Sequence, residues 1–139
     1  MLLTRECDYG IRVIRALAGG SKKTVDTIAA EELVPKKYAY KIIKKLERAG
    51  FVKSVRGRSG GYLLLKNLDA FSLLDVIAAV DPDRYISDCI KVDSICPFKS
   101  DSEKACSVHK EIERIQVLVE SELHAKPMNE ILGVSEKPS

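Results

Sequence analysis

No apolar run in this 139-residue sequence approaches the roughly 18 to 20 residues that a membrane-spanning helix needs, so no membrane span is expected. The opening residues, Met1-Leu2-Leu3-Thr4-Arg5-Glu6, lack the apolar stretch of a secretory signal, and a cytoplasmic protein is the expectation. Internal repeats and low-complexity segments are missing as well. Paired carboxylates, a nucleophile elbow or a phosphate loop in a setting that supports catalysis are also lacking, so an enzyme is not expected. The glycines between Gly57 and Gly61 do not follow a strand and open a helix, which excludes a nucleotide-binding fingerprint there. Acid is scarce in one place above all: from Lys36 to Arg58 the single acidic residue is Glu47.

What is present is a chain able to fold. It is 45% hydrophobic and 31% charged, enough to bury a core and solvate a surface over about one domain's length. The net charge of +3 conceals a strong asymmetry. Lys36, Lys37, Lys41, Lys44, Lys45, Arg48, Lys53, Arg56 and Arg58 give the 36–58 segment a charge of +8, leaving −5 on the remaining 116 residues. A cationic face on an otherwise acidic chain points to a polyanion; a merely solvated basic helix is the bland alternative.

Thr4 caps a first predicted helix running to about Ala18, ended by Gly19-Gly20-Ser21. A short second helix follows Thr24, with Ile28, Ala29 and Leu33 as its inner face. Val34-Pro35 breaks the chain and restarts it, proline being suited to a first helical turn. The third helix spans about Pro35 to Ala49. Its apolar positions, Tyr38 or Ala39, Ile42, Ile43 and Leu46, recur at helical spacing, and lysines occupy the other face. Phe51–Val55 and Tyr62–Leu65 read as strands joined by a glycine-rich tip that carries Arg56 and Arg58. A fourth helix runs from Ser72 to about Val80, where Ser72 and Asp75 form a capping box. Residues 81–102 form a long loop, and long loops in compact domains are often functional. A long helix follows from about Glu103 to Leu123. Ala105, Val108, Ile112, Ile115, Val119 and Leu123 mark a narrow apolar stripe, the seam of a helix seeking a partner helix or its own domain. One further turn is expected at Met128 to Leu132.

The predicted fold class is therefore mainly α with a small β-hairpin: a winged helix-turn-helix plus a long C-terminal dimerisation helix. Residues 1–80 form the DNA-binding domain, 81–106 a cysteine-containing sensor loop, and 103–132 the dimerisation helix and tail. The second helix supports the third, whose exposed face fits the major groove of double-stranded DNA. Lys36, Lys37, Lys41 and Lys44 are placed to neutralise phosphates, with polar side chains near the helix start reaching base edges. Arg56 and Arg58 on the wing tip suit a narrow minor groove.

Specific residues carry a family resemblance. Asp8-Tyr9-Gly10, the run from Leu46 to Val52, and above all Arg56-Gly57-Arg58-Ser59-Gly60-Gly61-Tyr62 resemble the Rrf2 family of regulators over nearly the whole chain, Leu3 to about Leu132. The resemblance implies a homodimer built on crossing C-terminal helices, and a repressor or dual regulator that binds palindromic operators. It assigns base reading to Lys37, Tyr40 and Lys41, with Arg56 as the wing arginine. The side chains at these positions differ from those of one well-known member, so that member's operator sequence does not transfer.

Many members of that family hold an iron–sulfur cluster on three cysteines and a fourth ligand. Here the pattern is Cys89-x6-Cys96-x9-Cys106-x2-His109, with both cysteine gaps longer than is usual in the family. Thiolates suit such clusters, and imidazole can replace one of them. Cys106 and His109 lie one helical turn apart, so both can face one site. Asp8 matches the fourth-ligand position of another branch of the family, and neighbouring Cys7 is a third possibility. His109 points to a 2Fe–2S cluster and Asp8 to a 4Fe–4S cluster, with 2Fe–2S favoured for the local Cys106–His109 spacing. The cluster would sense redox, nitric oxide or iron–sulfur status. Other readings stand beside it: zinc held by three cysteines and His109, thiol oxidation without metal, or a cluster-free regulator controlled by a protein partner. Cys7 also reads as a small buried apolar residue, Asp8 as a helix-dipole partner, and His109 and His124 as surface histidines or helix caps.

Overall fold

A computed structural model describes residues 3–91, 93, 94, 96 and 106–134. Helix α1 (Arg5–Leu17) starts where Thr4 Oγ1 accepts a hydrogen bond from the Cys7 amide at 3.3 Å. Helix α2 (Val25–Glu32) is capped in the same way by Thr24, which accepts from the Thr27 amide at 3.2 Å. Both side chains satisfy an amide that the first helical turn leaves unpaired. Helix α3 (Lys36–Arg48) starts after Pro35. Strands β1 (Val52–Val55) and β2 (Gly61–Leu64) pair antiparallel, Val52 opposite Leu64 and Val55 opposite Gly61. A 3₁₀ turn at Leu68–Ala70 leads into α4 (Leu73–Val80), where Ser72 and Asp75 form the reciprocal capping box expected of them. A second 3₁₀ turn at Asp88–Ile90, α5 (Ser107–His124) and α6 (Met128–Leu132) complete the described chain.

One core holds the first four helices and the hairpin together. Val13, Ile14 and Leu17 of α1, Ile28 of α2, Ile42, Ile43 and Leu46 of α3, and Val76 and Val80 of α4 are buried in it. Each such side chain contributes about 1.5–3 kcal/mol of transfer free energy relative to exposure. Gly10 lets α1 and α4 approach closely: a Cβ at that position would lie 2.7 Å from Val80 Cγ2. Phe51 and Phe71 meet edge to face, ring centres 4.9 Å apart, and close the core beneath the hairpin. Met128 is fully buried in the same core, and its amide donates to Phe71 O at 2.9 Å, so α6 folds back onto the N-terminal domain.

The hairpin is not a free arm. The Tyr62 amide donates to Lys23 O at 2.7 Å, and the Lys23 amide returns a bond to Tyr62 O at 3.1 Å. This bridge adds the segment between α1 and α2 as a third strand-like edge. Gly61 permits it, because a Cβ there would sit 2.7 Å from Lys23 O.

One sequence expectation is overturned and one open alternative is settled. Leu33 is not on the inner face of α2; it stands 82% exposed in a left-handed conformation (φ 54°, ψ 42°) that turns the chain toward α3. Turn geometry overrides hydrophobicity there. On α3 the inward residue is Ala39, while Tyr38 is exposed. The long C-terminal helix begins at Ser107 among the described residues; its expected start near Glu103, with Ala105, lies outside them.

Of the described residues of the α5 stripe, Ile112, Ile115, Val119 and Leu123 are half-buried and Val108 is exposed. Ile112, Val119 and Leu123 lie against the protein's own domain, and Gln116 is buried at 5% exposure on the same side. Gln116 Oε1 accepts from the Ile86 amide at 3.0 Å, and its Nε2 donates to Glu120 Oε1 at 3.0 Å. Arg84 Nε donates to the same Glu120 oxygen at 3.2 Å. At the end of α5, His124 Nδ1 lies 3.2 Å from Ser72 Oγ, the cap of α4. Val108, Val117 and Leu118 remain exposed.

Candidate nucleic-acid interface and cysteine site

Helix α3 presents Lys37, Tyr40, Lys41, Lys44 and Arg48 on the face opposite Ala39, Ile42, Ile43 and Leu46, as the period of 3.6 requires. Tyr40 is exposed, and Lys44 Nζ lies 5.4 Å from its ring centre. The same Nζ lies 5.8 Å from the ring centre of Tyr62 on β2, which ties helix and hairpin into one surface. Arg56 and Arg58 are exposed on the connection between the strands.

The cations of this surface fall into two sets. Lys36 pairs with Asp26 at 2.7 Å, and Lys44 with Glu47 at 3.3 Å. Lys41 and Lys45 each pair at 2.7 Å with one oxygen of Glu6, from α1. Hydrogen bonds from Lys41 and then Lys45 hold the Glu6 carboxyl below its ordinary pKa, and the bond from Glu6 raises that of Lys41. The bond to Glu47 likewise raises Lys44. Lys37, Arg56 and Arg58 make no ion pair among the described residues and stand open to a polyanion.

The cysteines lie elsewhere. Cys89 sits in the Asp88–Ile90 turn, where its Sγ accepts from Ser87 Oγ at 3.3 Å and its carbonyl accepts from Ser94 Oγ at 3.1 Å. Cys89 and Cys96 line one open cleft of about 960 Å³, together with Tyr85, Asp83 and Lys91. Lys91 reaches Asp83 at 2.7 Å and Asp88 at 2.5 Å; these bonds raise its pKa and lower that of Asp88. Cys106 is half-buried at the N-cap of α5. His109, one turn on, is half-buried with Nε2 3.9 Å from Glu113. Among the described residues, no group of three or more His, Cys, Asp or Glu side chains is arranged to hold a metal ion. Asp8 lies in the first turn of α1 and pairs with Arg12 at 3.1 Å. Cys7 is buried under α1, where its Sγ accepts from Thr4 Oγ1 at 3.3 Å.

Sequence reasoning missed Glu6 and Gln116. Nothing near Glu6 in sequence names its partners, which lie 35 and 39 residues away. Gln116 did leave a signal: it shares the helical face of Ile112, Val119 and Leu123, where a polar residue must find partners.

A helix pair with a supported, cationic third helix and a two-stranded wing beside it defines a winged helix-turn-helix DNA-binding protein. The family model described as "Rrf2: Iron-dependent Transcriptional regulator" matches residues 3–133, and the chain belongs to that family of transcription regulators. Its members are DNA-binding regulators and not enzymes. "Protein aau3" of Rhizobium meliloti (strain 1021) is 31% identical over 101 residues, which cover 70% of this chain and 66% of that protein. Among solved structures, CymR, the global cysteine regulator of B. subtilis, superposes with a TM-score of 0.74 at 22% identity, covering 98% of this chain and 99% of that one. IscR of T. potens does so at 0.71 and 24% identity, covering 98% and 89%. These structures share the fold. Among the described residues, no helix is long and apolar enough to cross a membrane.

Proposed function

We infer that this chain is a homodimeric repressor that binds palindromic operators through α3 and the wing. Its cysteine segment reports redox, nitric oxide or iron–sulfur status through a bound cluster. Lys37, Tyr40 and Lys41 read bases, Lys36 and Lys44 contact phosphates, and Arg56 and Arg58 enter the minor groove. Residues 1–80 are the DNA-binding domain, 81–106 the sensor segment, and 103–132 the dimerisation helix and tail. Exposed Val108 and Leu118 on α5 supply apolar surface for a second copy.

The observation that carries the sensor reading is the cleft shared by Cys89 and Cys96, which adjoins the segment pinned to α5 by Gln116. The donor chemistry fits a cluster: three thiols, with the His109 imidazole one turn beyond Cys106. Cys89, Cys96, Cys106 and His109 would hold it, 2Fe–2S being favoured. Asp8, the alternative for a 4Fe–4S cluster, is already paired with Arg12. Such a group would supply a centre whose charge and ligation respond to oxidants and nitric oxide.

Anaerobically purified protein should show a visible absorption band with stoichiometric iron and sulfide. Colourless protein that lacks both, prepared under strict exclusion of oxygen, would overturn the cluster. Separate His109→Ala and Asp8→Ala variants then identify the fourth ligand by which one changes the spectrum.

One second reading has an observation in its favour. Cys89 and Cys96 open onto the same cleft, so a cluster-free regulator could act by oxidation of these thiols or through a protein partner seated there. Thiol counting before and after a mild oxidant separates it from the cluster.

A further inference from the structure

We propose that Glu6 tunes the DNA affinity of the protein: its carboxylate occupies Lys41 in the free protein and competes with DNA for that lysine. The proposal rests on the reading of α3 as the DNA-facing helix.

The geometry separates the two lysines that Glu6 holds. Lys45 is 28% exposed, and its Nζ also donates to Val80 O at 3.0 Å, the last carbonyl of α4. It is a fixed member of the junction between α1, α3 and α4, and it keeps the Glu6 carboxylate in place. Lys41 is 56% exposed, has Glu6 as its ion-pair partner, and shares the outward face of α3 with Lys37 and Tyr40. Lys41 can therefore leave Glu6 for DNA, whereas Lys45 stays.

The exchange has a defined electrostatic character. A free lysine meeting a phosphate releases a condensed counterion, and that release drives non-specific binding. A lysine already paired with a carboxylate must give up one anion for another, so a bare phosphate offers it little. A site that presents base-edge acceptors to Lys41, with its neighbours in register, offers more. Glu6 thus lowers affinity for both kinds of DNA: a preferred site must break the Lys41–Glu6 pair to engage Lys41, and DNA of arbitrary sequence leaves the pair intact and forgoes the contact. Lys37, Arg56 and Arg58, without ion pairs among the described residues, carry the non-specific attraction.

Two duplexes are needed for the test: one of mixed sequence, and one enriched from a random pool by the wild-type protein. Binding is measured against salt concentration, with thermal melts to monitor folding. Glu6→Gln should tighten binding to both duplexes by several-fold, at least as much for the enriched one, and steepen the mixed-duplex log–log salt slope by about 1. The double variant Glu6→Gln with Lys41→Gln should return the mixed-duplex affinity and slope to the wild-type level. A test independent of how Glu6→Gln folds uses the otherwise wild-type chain. There Lys37→Gln should weaken mixed-duplex binding and flatten its slope, and Lys41→Gln should do neither. An unchanged mixed-duplex slope in Glu6→Gln, no gain on the enriched duplex, a mixed-duplex gain that survives loss of Lys41, or equal losses from Lys37→Gln and Lys41→Gln would each overturn the proposal. Wild-type protein that binds neither duplex in a salt-dependent way would overturn the DNA-facing reading itself.

Discussion

The winged-helix half and the α5 half of this protein are held together by different forces. From Leu3 to Val80 the elements share one apolar core, and Thr4, Thr24 and Ser72 cap α1, α2 and α4. Beyond Val80, α5 is tied by polar contacts, Gln116 to Ile86 and Arg84 to Glu120, to the segment that follows α4, and it reaches the first half where His124 meets Ser72. Apolar burial resists displacement because it is proportional to area and indifferent to direction. Hydrogen bonds are directional, so a small shift breaks them. The first half resists displacement, whereas the contacts that hold the second give way to a small shift.

Core truncation should show the sharpest contrast. Ile42→Ala, in the shared core, should cost about 2–5 kcal/mol in chemical denaturation, while Val117→Ser on exposed α5 should change stability by no more than about 0.5 kcal/mol. Similar costs for the two would erase the distinction. Gln116→Ala leaves the Ile86 amide without its acceptor and should cost about 1–3 kcal/mol. Hydrogen exchange should rise at residues 84–87 of that variant and remain slow in α1 and α3.

A smaller effect of opposite sign is expected at Leu33. Its left-handed conformation costs about 1–2 kcal/mol, and glycine's extra unfolded-state entropy gives back about 0.5–1 kcal/mol. Leu33→Gly should therefore raise stability by a few tenths to about 1 kcal/mol, read as a higher denaturation midpoint.

The Glu6 pair should give the mildest signal, and a pH-dependent one. The folded carboxyl has a pKa below its ordinary 4.5, so its contribution is present above that value and is lost as pH falls through the lowered folded value. Denaturation midpoints of wild type and Glu6→Gln should differ near neutral pH and converge in acid. A constant difference would show that the carboxylate charge is not what stabilises.

Most of the first half was legible in the sequence because its signals are local. Thr4, Thr24 and Ser72 cap helices three residues ahead of the amides they accept from, and Ile42, Ile43 and Leu46 repeat at a helical period. Leu33 misled because its fate is set by a turn that needs a left-handed residue, not by its hydrophobicity. The α5 stripe was visible, but its division was not. Which of its residues face the protein's own domain depends on the path of residues 82–91, and no local pattern encodes that path. On the candidate interface, sequence placed the lysines on one face of α3 but could not show which of them are already neutralised. Glu6, Asp26 and Glu47 reach Lys41, Lys45, Lys36 and Lys44 through tertiary or helical geometry.

The burial of Met128 has a mechanical consequence. Between the Met128–Phe71 bond and the His124–Ser72 contact, the C-terminal end of α5 is a pivot set in the DNA-binding domain. The helix has 18 residues, so its other end, at Cys106, stands about 27 Å from that pivot. A tilt of about 5° at the pivot moves the Cys106 end by roughly 2 Å over such a length. Alpha-five is thus a lever with its fulcrum in the winged helix and its handle beside the cysteines. A displacement at the Cys106 end small enough to spare the core is still large beside exposed Val108.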